Sequence, residues 1–203
     1  MNLNFNDSIN AKGHLSIFKV IDGKEEMIFD EKNVIVSGFG WNLGYLFSKL
    51  GSRSIDDFQI DRFQIGVSGS TGNQVSSTNQ LSGALSSISE YTTNGDSNLA
   101  AVVSDQIRNG SVTTSKVFAK IPFSKVTRID NLSVRYTIFI DEDSCNNLTR
   151  DGASVSLNEI GLFAKNPLGR STDASILVAY KYFSPIRKTD DFGLIFRWTI
   201  TFG

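Results

Sequence analysis

The C-terminal stretch FGLIFRWTITF alternates strictly between two sets of side chains. One set is wholly apolar and comprises Phe192, Leu194, Phe196, Trp198, Ile200 and Phe202, whereas the other comprises Gly193, Ile195, Arg197, Thr199 and Thr201. A period of two residues with one apolar face is typical of a half-buried strand. Burial of the apolar set would contribute roughly 9–18 kcal/mol of gross stabilisation, which the entropy of ordering partly offsets. We therefore predict a closing core strand here, not a frayed tail.

Extended, apolar-rich patterns elsewhere predict further strands separated by turn signals. Asp22 and Gly23 form a two-residue turn signal between the first two extended segments, which predicts a hairpin or meander. The remaining strand predictions cover residues 14–20, 27–36, 58–67, 116–123, 132–140, 155–165 and 176–186.

One segment changes period. Apolar residues three or four positions apart predict an amphipathic helix over about residues 40–50, with Gly51 as the glycine that ends it. The residues on its apolar face are Phe39, Leu43, Leu46, Phe47 and Leu50. Many strands with one helix do not fit the alternating pattern of a doubly wound fold. We predict a mainly β protein: an antiparallel β-sandwich with one short helix packed on it or across one end.

The middle of the chain is different in composition. Residues 68–115 are rich in Ser, Thr, Asn and Gly, and such a segment buries too little apolar surface to form a core alone. We predict a single β-sandwich domain spanning 1–203, with 68–115 as a polar insertion that serves as an interaction arm or an elaborated surface region.

Composition narrows the classes of function. The 203 residues include 20 Lys and Arg and 21 Asp and Glu, a near-zero balance that argues against nucleic-acid binding through a basic surface and suits a subunit of an assembly. A single cysteine excludes an intrachain disulfide and a cysteine-cluster zinc site. No apolar run is long enough to span a bilayer and no signal-peptide pattern begins the chain, so we expect synthesis in the cytosol without membrane association.

The glycine-rich motifs do not predict nucleotide binding. Gly38, Gly40 and Gly44 lie between a strand and a helix, as in a dinucleotide fingerprint, but Leu43 stands where the third glycine belongs. The stretch 66–73 lacks the Gly-Lys-Ser/Thr ending of a phosphate-binding loop. We expect these glycines to serve turns.

The acidic run 141–144 invites comparison with a calcium loop. Such a loop needs an oxygen ligand at its fifth position, glycine at its sixth and glutamate at its twelfth. Cys145, Asn146 and Gly152 hold those positions, so we predict a solvated acidic loop.

Candidate catalytic residues are few. His14 is the only histidine, and Cys145 could act as a nucleophile only if His14 approached it across the fold. The adjacent pairs Asp56–Asp57 and Asp190–Asp191 would point to opposite faces of a strand or lie in charged turns. We predict no catalytic, cofactor-binding or metal-binding residues and no enzyme activity; a glycan-cleaving carboxylate pair is the alternative that stays open.

Several motifs, taken in order, resemble a group of tailed-bacteriophage virion proteins. KNVIVSGFGWNLGYLFS followed by IDRFQIGVSGSTG resembles the opening of that group, and LNEIGLFA, FSPIRK and LIFRWTITF resemble its closing part. The chain departs from the pattern in having Val67-Ser68-Gly69 after the first glycine of the expected G-x-G. The matching positions are Glu159, Gly161, Leu162, Phe163, Phe183, Pro185, Ile186, Lys188, Trp198, Ile200 and Phe202.

This resemblance implies a structural subunit of the virion, assembled in the host cytoplasm, at a tail, baseplate or fibre-attachment position. It implies no cofactor, and its partners would be other virion proteins and further copies of the chain. The alternatives are a head-decoration or fibre protein, or a receptor-binding module on a tail fibre that recognises a host surface glycan. The last rests on Tyr91, Tyr180 and Tyr182, which could stack on sugar rings or, for the latter two, pack together on one strand face.

Overall fold

A computed structural model describes residues 10–48, 55–67, 119–121, 123–150, 152–164 and 176–203. These residues contain eleven strands and one α-helix. The elements are β1 (Ala11–Ile21), β2 (Lys24–Ile35), α1 (Ser37–Phe47), β3 (Ile60–Gly66), β4 (Ala119–Lys120), β5 (Val126–Arg128), β6 (Ser133–Ile140), β7 (Thr149–Arg150), β8 (Ala153–Ser154), β9 (Leu157–Ala164), β10 (Ile176–Ile186) and β11 (Gly193–Phe202).

The predicted hairpin joins β1 to β2 through Asp22 and Gly23. Both residues have positive φ values, 50° and 73°, so the two-residue turn has the handedness that matches the twist of the flanking strands. The register runs from Ile21 opposite Lys24 to Gly13 opposite Asn33, with an irregularity between Ile17 and Phe18. The Asp-Gly signal in the sequence is therefore confirmed as a hairpin turn.

Nine of the eleven described strands form two antiparallel sheets. The first sheet has the order β2-β1-β11-β6-β5, and the second consists of β3, β9 and β10 with the two-residue β4 at its edge. The end of β2 also pairs with β10 over two residue pairs, Ala179 with Ile35 and Tyr180 with Val34, so that β2 belongs to both sheets. β7 and β8 form a separate small hairpin.

The core lies between the two sheets. Phe183 on β10 packs against Phe196 on β11 and Phe29 on β2, with ring centroids 5.9 and 6.1 Å apart. β11 lies between β1 and β6 at the centre of the first sheet, and Leu194, Phe196, Trp198 and Ile200 on it are completely buried. The predicted closing strand is thus confirmed, as is the mainly β, sandwich-like fold.

Helix α1 closes one end of the sandwich and begins three residues before the predicted start. Gly38 makes this early start possible: a Cβ there would lie 2.0 Å from the Leu177 carbonyl oxygen, so only glycine lets the helix approach β10 so closely. Phe39 packs on Ala164 and Val178 and stacks on Phe202 at 5.7 Å.

The apolar face of the helix is buried only in part. Phe39 is buried and Leu43 half-buried, whereas Leu46 is exposed and Phe47 is 80% exposed. Asn42, which is also buried, donates from Nδ2 to the Phe58 carbonyl at 2.6 Å.

The polar insertion predicted at 68–115 lies outside the described residues, and the single-domain assignment stays a prediction. Pro185 lies inside β10, in the irregular stretch between Tyr182 and Ile186 where the regular pairing with β9 is interrupted. A residue without a backbone N–H is tolerated there because the ladder has a gap.

Candidate functional site

An apolar row crosses the outer face of the first sheet. Phe18 on β1 lies opposite Met27 on β2 and Ile195 on β11, and Ile195 lies opposite Phe139 on β6. We call these four residues the apolar row. Its two ends, Met27 and Phe139, are 56% and 51% exposed, and its two middle residues are half-buried. Four adjacent strands therefore present a line of apolar side chains to solvent.

Most of the remainder of this face is polar, although the half-buried Val20 lies between Glu25 and Gly193. His14 Nε2 and Ser16 Oγ both contact Asp30 Oδ1, at 2.8 and 2.5 Å. The hydrogen bond from Ser16, followed by that from His14, lowers the pKa of the Asp30 carboxyl below its ordinary value. Arg135 lies within 3.4 Å of the Thr199 hydroxyl on the neighbouring strand. The apolar row is thus an exception on a solvated face.

Arg197 crosses the apolar row. Its guanidinium carbon lies 4.5 Å from the centroid of the Phe18 ring, a cation–π contact. Its Nη2 reaches Glu25 Oε1 at 2.8 Å on the other side of the row. Aromatic residues, methionine and arginine are enriched at the cores of protein–protein interfaces, so the composition of this patch is typical of a contact surface.

The sequence does contain a sign of the apolar row, although the alternation of apolar and polar residues does not reveal it. Three strands carry apolar residues within their polar sets: Phe18 and Val20 on β1, Ile195 on β11 and Phe139 on β6. Each exception is unremarkable singly, because isolated apolar residues on a surface are common. Only the strand register shows that they are neighbours.

The outer face of the second sheet carries polar residues that are buried, next to the buried Phe163. Phe63 and Ile65 on β3 face the core, so Arg62 and Gln64 point the other way, yet both are buried. On the same side, the completely buried Glu159 accepts a hydrogen bond from the Tyr180 hydroxyl at 3.0 Å. Burial, and then the Glu159 carboxylate, raises the pKa of Tyr180, so the hydroxyl keeps its proton and donates it to this bond.

The acidic loop between β6 and β7 is organised around an internal cation. The buried Lys188 ammonium donates to the Glu142 and Thr189 carbonyls at 3.2 and 2.7 Å and to Asn146 Oδ1 at 2.9 Å. All three donors of the ammonium are therefore used. It also lies 5.1 Å from the centroid of the Phe192 ring. The oxygens around the ammonium are two backbone carbonyls and one amide oxygen, whereas Glu142 and Asp143 of the acidic run are exposed.

His14 and Cys145 do not form a catalytic pair. His14 is exposed on the outer face of the first sheet and contacts Asp30, whereas Cys145 is buried in the core cluster. Burial raises the pKa of the Cys145 thiol to about 12, so the nucleophilic thiolate is disfavoured at neutral pH.

The two tyrosines proposed for sugar stacking that the structure describes do not form an exposed platform. Tyr180 is buried and bonded to Glu159, and Tyr182 is only partly exposed. Tyr91 lies outside the described residues. Of the two alternatives for Tyr180, its burial contradicts sugar stacking.

The described residues of the acidic pairs lie in turns, whereas Gly38, Gly40 and Gly44, which were expected to serve a turn, lie within α1. Asp190 and Asp191 are exposed in the turn before β11, with the Thr189 hydroxyl donating to Asp191 Oδ2 at 2.9 Å. Asp56 is exposed in a short 3-10 turn, Ile55–Phe58. Gly40 and Gly44 have open space where a Cβ would lie. Of the glycine-rich stretch 66–73, only the first two residues are described.

Among the residues that the structure describes, no group of three or more His, Cys, Asp or Glu side chains is placed to hold a metal ion. The described helix is also too short to cross a membrane. No protein-family model, curated protein or solved structure matches this chain.

Proposed function

We propose that this chain is a structural subunit of a tailed-bacteriophage virion, at a tail, baseplate or fibre-attachment position, where it contacts neighbouring subunits. The observation that carries the proposal is the apolar row on the outer face of the first sheet. A chain that functions alone gains nothing from lining up Met27, Phe18, Ile195 and Phe139 in solvent. A subunit of an assembly buries such a row against a partner.

The positions of the family-like motifs support the same proposal. The segment 32–48 spans the end of β2 and all of α1, and in it the Val36 N–H donates to the Val178 carbonyl on β10 at 3.0 Å. β3 and β10, which carry two further motifs, flank β9, which carries the NEIGLF motif. Motif segments that are distant in sequence therefore build one connected part of the sandwich.

The polar residues of these motifs have structural contacts. Glu159 accepts from Tyr180, Lys188 anchors the acidic loop, and the Trp198 indole N–H donates to Asn33 Oδ1 at 2.8 Å. Buried polar groups with satisfied hydrogen bonds favour one arrangement of the strands. This use of the motifs agrees with a role in building a subunit.

The proposal can be tested by locating the protein in particles. Particles purified from a lysate of cells that produce the protein should contain its peptides by mass spectrometry. Gold-labelled antibody should mark one end of the tail in electron micrographs. Label over the head would favour the head-decoration alternative, and absence of the protein from particles would contradict the proposal.

A matched pair of variants connects this test to the apolar row. Ile195→Glu places a charge in the row, and Thr127→Glu places the same charge at an exposed position on strand β5, next to Arg135 and away from the row. When each variant replaces the wild-type chain during particle formation, we expect Ile195→Glu to be missing from particles and Thr127→Glu to be incorporated. Equal incorporation of the two variants would show that assembly does not depend on the apolar row.

A further inference from the structure

We propose that the outer face of the first sheet binds the same face of a second copy of this chain. The inference rests on the proposed role as an assembling subunit and adds the identity of a partner. It starts from the apolar row and the charged residues beside it, all of which lie within the described strands.

The size of the face meets the requirement for a stable dimer. Four long strands of 8 to 12 residues lie side by side in β2, β1, β11 and β6. With strands about 4.8 Å apart and a rise of about 3.3 Å per residue, their face covers about 600 Å². Stable interfaces begin at about 1,200 Å² counted over both partners, so two such faces reach the lower bound.

The order of side chains in the row is self-complementary. A two-fold axis parallel to the strands, midway between β1 and β11, places Met27 opposite the partner's Phe139 and Phe18 opposite the partner's Ile195. Each aromatic ring then meets an aliphatic side chain, and the two most exposed residues of the row cover each other. Nearly aligned strands are also a common arrangement for two packed sheets.

Charge selects this axis over the other in-plane two-fold. An axis along the row, perpendicular to the strands, would place Asp30 opposite the partner's Glu25, and like charges facing each other are unfavourable. The axis parallel to the strands instead places Asp30 opposite the partner's Thr137. It brings Lys32 near the partner's Arg135, but that pair lies two rows away, at the rim, where salt screens it.

Cysteine cross-linking of the full-length chain tests the geometry. In one copy, residues 27 and 139 are three strand spacings apart, about 14 Å, whereas in the proposed dimer they face each other across sheets packed about 10 Å apart. Backbones that far apart cannot form a disulfide, so the test uses a short bismaleimide, which spans the interface but not the distance within one copy. We expect the double variant Met27→Cys/Phe139→Cys to give a covalent dimer with this reagent, while either single variant stays uncross-linked. The native Cys145 is buried, so it contributes little background.

Sedimentation equilibrium gives an independent measurement. We expect the wild-type chain to dimerise and Ile195→Glu to raise the dissociation constant at least about tenfold. Thr127→Glu lies on β5, outside the four strands of the proposed interface, and should leave the dissociation constant within about threefold. Circular dichroism and melting temperature of each variant would confirm that the fold is intact.

The other results overturn either the inference or the proposed function. A wild-type dimer that is indifferent to Ile195→Glu uses a different surface. A wild-type monomer whose Ile195→Glu variant is lost from particles has a different virion protein on this face, and then the proposed function stands while the second copy does not. A cross-linked dimer of a chain that is absent from particles would have the opposite meaning, with the dimer retained and the proposed function rejected.

Discussion

The outer faces of the two sheets have the same alternation but different environments. On the first sheet, polar residues such as His14 and Asp30 are exposed, and apolar residues intrude on them. On the second sheet, Gln64 and Glu159 point away from the core and are nevertheless buried. Alternation therefore assigns a side chain to a face, but it does not determine whether that face meets water. A buried polar face depends on its hydrogen bonds, whereas a solvated one does not.

The largest effect is expected from deleting the strand at the centre of the first sheet. Deletion of residues 192–203 removes β11, which separates β1 from β6 and carries four completely buried side chains. We expect loss of cooperative folding, measured by circular dichroism during heating. Truncation of Gly203 alone is the control. A soluble, cooperatively melting product of the larger deletion would show that β11 is an assembly arm.

Removal of one tyrosine hydroxyl from the outer face of the second sheet should have the next largest effect on stability. Tyr180→Phe removes the donor to the buried Glu159 carboxylate, and such a charge-assisted bond contributes about 1.5–3 kcal/mol. We expect the free energy of unfolding to fall by about that amount in urea titrations. Tyr182→Phe, two residues along the strand, should change it by less than about 0.5 kcal/mol. Equal effects would remove the distinction between the two faces.

An ion pair on the exposed face should contribute much less. Glu25 and Arg197 are 2.8 Å apart, with about a third of each side chain exposed. Exposed pairs contribute about 0–1 kcal/mol because water and salt screen them. A double-mutant cycle with Glu25→Gln and Arg197→Gln should give a coupling free energy within that range. A coupling well above it would indicate that this face is better shielded from solvent than its exposure indicates.

The smallest effect concerns the titration of Asp30. Its pKa is lower in the folded chain than in the unfolded chain, so its contribution to stability is present above the ordinary aspartate pKa. That contribution is lost as the pH falls through the folded-state pKa. An NMR titration of the Asp30 carboxyl should show the lowered value, and Ser16→Ala should move it upward. An unchanged pKa in Ser16→Ala would contradict the assigned cause.

Much of the fold could be predicted because local chemistry determines it. Asp22 and Gly23 adopt positive φ readily, and the period of β11 allows one buried face. Other features depend on contacts between distant strands. A Cβ at Gly13 would lie 1.9 Å from Asn33 Oδ1, the atom that accepts from Trp198, and three separated stretches of sequence meet there. No local pattern predicts that meeting.

The candidate sites could likewise not be predicted where they depend on contacts between distant parts of the sequence. The irregularity between Ile17 and Phe18 shifts the register of β2, and it is this shift that brings Met27 opposite Phe18 to complete the apolar row. The sequence marked the acidic loop and Lys188 as separate features more than forty residues apart. Pairing them required the turn that leads from β10 into β11, because that turn carries the ammonium back to the loop.

The internal cation of the acidic loop has a consequence for the conditions that the protein tolerates. A loop built on bound calcium keeps its shape only while the medium supplies the ion, and a chelator that removes the ion disorders the loop. Lys188 is attached to the chain that it organises, so its effective concentration at the loop is fixed by the fold and does not change on dilution. This corner of the sandwich should therefore keep its shape inside a cell and outside it, whatever divalent ions surround it.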